Sequence, residues 1–245
     1  SLLIRARDEQ GAISDAELIG HVSLLFGAAH LTTAHTLTWT LFLLAQHPSV
    51  AREVDAEVRS AAFAGEVPTP EEASRLPVLE RALKESMRCL PASAYLSRMT
   101  SAPVELGPLR LPGGAAVIFS QYMTHHMPRL YEAADEYRPE RWKTIDPSPY
   151  EFLPFGSGPR MCIGAMLAMQ TLMTTLPSLL RRFRVAVVPD AEICGEVVST
   201  MLGPSTSVPV LLCPADGKFD SAPVRGNIHD LVTLRELPKS IRRAA

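Results

Sequence analysis

The stretch Phe155-Gly156-Ser157-Gly158-Pro159-Arg160-Met161-Cys162-Ile163-Gly164 places one cysteine at the end of a glycine-rich loop and directly ahead of a segment of helical character, Gly164 to Phe183. Amides at a helix start lack intrahelical acceptors, and the helix dipole is positive there. A sulfur in that position is therefore favoured as the thiolate. A thiolate so held can ligate a soft or borderline metal. No second Cys or His stands at zinc-like spacing, which argues against a four-coordinate structural zinc and for a cofactor that brings its own equatorial ligands, haem. Cys89, Cys194 and Cys213 read instead as small buried hydrophobes.

Upstream of this loop the chain is proline-dotted from residue 128 to 161, a meander long enough to read as a functional or wrapping segment. All 21 prolines lie at position 48 or later, so the first 47 residues can hold an unbroken helix. Ser14-Asp15-Ala16-Glu17 is a capping-box pattern, which predicts a buried helix from there to about Gln46, roughly 48 Å long. His21, His30 and His35, with Thr32, Thr33, Thr36, Thr38 and Thr40, are too polar a set for a membrane span. Val50, Val54 and Val58 predict an amphipathic helix ending near Gly65. Leu76, Leu79, Leu83, Met87 and Leu90 predict a second core helix up to Pro91. Val104-Glu105-Leu106 and Ala116-Val117-Ile118, beside turn signals at Gly107-Pro108 and Pro112-Gly113-Gly114, predict short antiparallel strands.

Across 245 residues, 47% are hydrophobic and 20% charged, which excludes disorder. With 24 basic and 26 acidic residues the net charge is −2, so the overall field argues for neither a nucleic-acid partner nor an anionic membrane surface. Four widely spaced cysteines and no secretory signal fit a reducing, cytoplasmic setting.

Phe155, Gly156, Gly158, Arg160, Cys162 and Gly164 resemble the haem-ligand loop of the cytochrome P450 family, and three further segments agree in order. Glu85-Ser86-Met87-Arg88 resembles its Glu-x-x-Arg helix. Tyr137-Arg138-Pro139-Glu140-Arg141-Trp142 resembles the segment whose arginine completes a structural triad, and Ala28-Ala29-His30-Leu31-Thr32-Thr33 stands where the oxygen-binding helix should be. The resemblance implies a mainly α fold with small antiparallel β-sheets, spanning residues 1–213, followed by a tail, 214–245. It further implies haem b with Cys162 as axial ligand, packed by Phe155 and approached closely by the helix at Gly164. Arg98 and Arg160 would meet the propionates, Ala28 would line the distal face, Thr32 would be the catalytic hydroxyl, and Glu85, Arg88 and Arg141 would form a partly buried triad. Family members also carry a long N-terminal half with the substrate lid, so the chain reads as a C-terminal portion of an incomplete fold that on its own holds haem poorly.

The long helix departs from the family pattern. Ala29 replaces the usual glycine and Leu31 the usual acid, and Leu31 cannot relay a proton. His35 and Thr36 lie one turn beyond Thr32 on its face, with packing the commoner role for such a histidine. Three functions follow as expectations. The first is a monooxygenase that reductively activates O₂ and hydroxylates or epoxidises a small apolar substrate. The second is a haem-thiolate enzyme that uses peroxide or catalyses a non-oxygenating rearrangement, and the third is a non-catalytic haem-binding module. Ala28, Ala29, Thr32, the Ser93 to Leu96 turn and the Met201-Leu202 hairpin are the expected pocket lining. Arg181, Arg182 and Arg184 are a candidate docking group for a ferredoxin or flavodoxin donor, against the plainer reading of solvated helix-end charges.

Overall fold

The structure, a computed structural model, describes residues 7–8 and 11–234. A small antiparallel ribbon, β1 (Arg7–Asp8) with β2 (Gly11–Ala12), leads into α1 (Asp15–Gln46), a helix of 32 residues. Ser14 and Glu17 cap it reciprocally: the Glu17 amide donates to Ser14 Oγ, and the Ser14 amide donates to the Glu17 carboxylate at 2.9 Å. Only the C-terminal half is buried, from Thr36 to Gln46. Ile19, Val22, Leu24, Leu25, Phe26 and Leu31 are exposed, which corrects the expectation of a helix buried along its length. Buried α1 carries two faces of the core. Trp39, Phe42 and Leu43 pack with Leu90, Tyr137, Ile193 and Leu202, while Leu44 joins Val54, Val58, Leu79, Leu83, Leu172 and Leu176.

Pro48 opens α2 (Pro48–Ser60), which ends five residues before Gly65 rather than near it. The Glu72 carboxylate explains the early stop, since it takes the Ala64 amide at 2.7 Å and bends the chain toward α3 (Pro70–Ala73). The second core helix is α4 (Pro77–Cys89), and Glu57 of α2 accepts the otherwise free Val78 and Leu79 amides at its start.

The β-rich part forms small two-stranded pairs. β3 (Leu96–Met99) pairs with β6 (Ala116–Phe119) around the hairpin β4 (Val104–Leu106) and β5 (Leu109–Leu111), all antiparallel. After α5 (Gln121–His125) the meander runs without regular structure, apart from two short 3₁₀ turns, to α6 (Ala165–Leu180). Then follow β7 (Phe183–Val187), β8 (Ala191–Glu192), the hairpin of β9 (Gly195–Val198) and β10 (Met201–Pro204), β11 (Val210–Pro214), β12 (Val224–Arg225) and the turn helix α7 (Ile228–Leu231). β11 pairs antiparallel with β7, whereas β12 runs parallel to β8, a departure from the all-antiparallel expectation. That parallel pair draws residues beyond 213 into the core, where Val224, Ile228 and Val232 are buried and Leu231 O accepts from the Tyr122 hydroxyl. Residues 235–245 of the tail lie outside the described residues. No described helix is long and apolar enough to cross a membrane.

Burial holds several imidazoles below their ordinary pKa: His125 is driven down to about 3, first by desolvation and then by the Arg88 charge, and His126 and His35 are lowered by the same burial. Their lowered pKa means that the unfolded chain binds protons more readily than the fold below about pH 6.5, so their contribution is present above that pH and lost as pH falls, for His125 through the window down to about 3. For His125 the fold is weakened by up to about 1.4 kcal/mol per pH unit in that window. A thermal-melting series from about pH 7.5 to about pH 5, above the carboxylate range, is therefore expected to show a falling Tm. A flat series would contradict the buried neutral histidines.

Candidate active site

Cys162 lies two residues before the N-cap of α6, which is Gly164, and its thiol is exposed and free. The loop before it is closed by its own backbone. The Gly156 amide donates to Leu153 O at 3.0 Å, that of Met161 to Gly158 O at 3.0 Å, and that of Cys162 to Phe155 O at 2.9 Å. Gly156 and Gly158 adopt φ of 70° and 73°, a region that L side chains avoid, so the tight turn requires glycine at both. Phe155 anchors the loop by packing on the cluster of Leu83, Leu172 and Met173. The sulfur is thus presented by a rigid turn seated on the core.

Around the sulfur the surface is apolar where a free surface would be polar. Ile163 is 91% and Met166 87% exposed, and Met161 and Leu167 are also exposed. At Gly164 an added Cβ would meet only Cys162 Sγ, at 3.8 Å, so the backbone there is open to close approach. Arg98 on β3 donates only to its neighbour Ser97 O, and Arg160 is exposed. Among the described residues neither forms an ion pair. A soft sulfur donor, a broad apolar surface and two unneutralised guanidiniums fit an iron porphyrin, which is flat, apolar and anionic at one edge.

Ala28 is exposed on the N-terminal half of α1, and the Thr32 hydroxyl donates to Ala28 O at 2.9 Å. Its proton is engaged within the helix, while its oxygen remains free to accept. Leu31 is 45% exposed. His35 does not turn toward a relay: its ring lies flat against Gly203 of β10, where any Cβ would fall inside the imidazole, and its Nδ1 is buried without a hydrogen-bond partner. The packing role therefore accounts for it. The two expected lining segments do meet, since Ala94 N–H donates to Thr200 O at 2.8 Å and Leu202 N–H to Ala92 O at 3.0 Å. Leu202 itself is buried at 2% exposure, with its carbonyl taken by the Trp39 indole. It is a core residue, not the pocket lining expected of it.

Glu85 and Arg88 are wholly buried and Arg141 is 8% exposed, so the triad is more enclosed than the expected partly buried network. Arg88 binds Glu85 through both Nε and Nη2, at 3.0 and 2.9 Å, and Arg141 Nε donates to the same carboxylate at 2.9 Å. Two further donors were not anticipated: the Trp142 indole and the Arg138 amide, each at 2.9 Å from Glu85. Most of the remaining guanidinium N–H groups go to carbonyls of the meander and of His125 at the end of α5. Arg88 binds those of His125, Ala134 and Glu136, while Arg141 binds those of Glu132 and Ala133. Ala133 has φ of 46°, so Arg141 holds the meander at a strained residue. Arg181, Arg182 and Arg184 are occupied within the chain. Arg181 bonds Gly65 O and stacks on Phe63, Arg182 pairs with Glu66, and Arg184 pairs with Asp216. They form no free basic group.

An exposed thiol on a glycine turn among exposed apolar side chains fits a haem-thiolate protein, and the comparisons with known proteins agree. The family model Cytochrome P450 matches residues 1–207, and the chain belongs to that family, whose members bind haem through an axial cysteine thiolate. It is 34% identical over 208 residues to the mouse mitochondrial 1,25-dihydroxyvitamin D(3) 24-hydroxylase, covering 84% of this chain and 40% of that protein. Over 208 residues it is 30% identical to pentalenene oxygenase of Streptomyces avermitilis, covering 83% and 46%. Over 215 residues it is 32% identical to cyclooctatin synthase of Streptomyces melanosporofaciens, covering 85% and 47%. The chain thus spans less than half the length of these relatives. One of them is mitochondrial, so the family lends no support to the cytoplasmic setting expected from cysteine usage.

Proposed function

We propose that this chain carries the haem-binding and oxygen-activating part of a monooxygenase acting on a small apolar molecule. The observation that supports this most directly is the Cys162 thiol, exposed on a core-anchored glycine turn among Met161, Ile163, Met166 and Leu167. In this reading Cys162 Sγ would hold the haem iron, with Phe155 and the apolar belt limiting its hydration, and Arg98 and Arg160 would pair with the propionates. Haem so held supplies the reductive activation of O₂. Thr32 Oγ1 accepts and passes a proton at the distal side, and Ala28 keeps that side open. The triad of Glu85, Arg88 and Arg141 fixes the meander that carries the cysteine loop. Electrons come from a ferredoxin- or flavodoxin-type donor on the cysteine side. A reduced-carbonyl difference spectrum of the full-length protein tests the ligation, followed by turnover driven by NADPH through a ferredoxin. Absence of a thiolate-type band would overturn the proposal.

Leu31 supports a second reading, a haem-thiolate enzyme that uses peroxide or catalyses a rearrangement, because a hydrocarbon side chain stands where proton delivery needs an acid. Leu31→Glu separates the two. If Leu31 limits proton delivery, the rate of product formation rises by about tenfold or more, toward the 10² to 10⁴ that positioned proton transfer typically contributes, and product formed per O₂ consumed rises toward one. Unchanged coupling would show that another group already delivers the proton.

A further inference from the structure

The cysteine loop is tied to the buried carboxylate network through His125, a side chain that belongs to neither. His125 is the last residue of α5 and is completely buried. Its carbonyl accepts Arg88 Nη1 at 2.8 Å, and its ring Nε2 accepts the Leu153 amide at 2.8 Å. An amide N–H can only donate, so Nε2 carries the lone pair and the proton sits on Nδ1. The ring is further held against Phe152, with centroids 5.5 Å apart. From Leu153 the backbone closes the ligand turn, because Leu153 O takes the Gly156 amide at 3.0 Å and Phe155 O takes the Cys162 amide at 2.9 Å. One residue thus joins the guanidinium of the triad, by its backbone, to the first anchored amide of the cysteine turn, by its side chain.

We propose that His125 is a positioning residue for the Cys162 sulfur, holding the start of the ligand turn through Leu153 so that the thiol stays aimed outward from α6. This rests on Cys162 being the haem ligand, as proposed above. The physical basis is the cost of an orphan: without the imidazole, the partly buried Leu153 N–H loses its acceptor, and the turn that depends on it opens more often.

The test uses the full-length protein with two polar variants of similar bulk. H125Q places its amide oxygen near the position of Nε2, whereas H125N reaches only to that of Nδ1. Amide hydrogen exchange followed by mass spectrometry is expected to show the 153–162 segment exchanging about tenfold faster in H125N, with α2 unchanged, and within about twofold of the native rate in H125Q. In the ferrous carbonyl spectrum, H125N is expected to convert faster than native protein or H125Q from the long-wavelength, thiolate form to the short-wavelength form under mild denaturant. Equal exchange in both variants and native protein would overturn the proposal, as would faster exchange spread evenly over the whole chain. A native protein that lacks the thiolate form altogether would overturn the haem reading instead, and the exchange comparison would then decide the role of His125 in the turn by itself.

Discussion

Cys162→Ala in the full-length protein is expected to abolish the thiolate-type carbonyl band completely and to lower haem retention. Cys89→Ala, Cys194→Ala and Cys213→Ala should each leave the band in place. The difference follows from where the sulfurs lie. Cys89 is buried against Arg88 and Glu136, and burial pushes its thiol pKa up, so it is held neutral inside the protein. Cys194 and Cys213 are half-buried on the β-rich side. Cys162 alone of the four is exposed, on a turn closed by its own backbone bonds and flanked by exposed apolar side chains. The measurement is the ferrous carbonyl difference spectrum with haem content determined in parallel. Survival of the thiolate band in Cys162→Ala would require a different ligand and would remove the basis of the functional reading.

Glu85→Ala should cost about 3–5 kcal/mol of stability, because it strands two buried guanidiniums around a missing carboxylate. The local charge rises from one excess positive charge to two, and the Trp142 indole and Arg138 amide lose their acceptor at the same time. In a chain of this size that corresponds to a fall in Tm on the order of 10 °C, and to no cooperative transition if the native margin is small. Glu80→Ala, which breaks the i,i+4 pair with Lys84 on the solvated side of the same helix, is the control and should change stability by less than about 0.5 kcal/mol. Thermal melting of both variants beside the native protein checks this. Equal effects would mean that the buried triad has no special role.

Much of this was readable beforehand, for local reasons. A capping box uses groups three residues apart, so the start of α1 at Asp15 follows from Ser14 and Glu17 alone. The α4 core stripe follows from helical periodicity, and the cysteine turn from the glycines that its positive φ values require. Glu85 and Arg88 show the limit of such reasoning. At i,i+3 spacing beside Glu80 and Lys84 they look like an exposed pair, and only the resemblance with Arg141 suggested otherwise. The extent of their enclosure depends on meander residues up to 57 positions away in sequence. His125 had no local signal at all, since its partners Arg88 and Leu153 lie 37 residues before it and 28 after it.

The amino-acid order alone determined the long helices and the turn that presents Cys162, and it singled out that sulfur as the candidate ligand, because caps, periodicity and backbone preference act over a few residues. Tertiary structure decided which half of α1 is buried, that β12 runs parallel to β8, that Leu202 is core, and that His35 rests on Gly203 instead of serving Thr32. Those outcomes depend on which distant surfaces meet. Burial, desolvation and the satisfaction of enclosed polar groups are properties of the assembled neighbourhood, and no short window of sequence contains them.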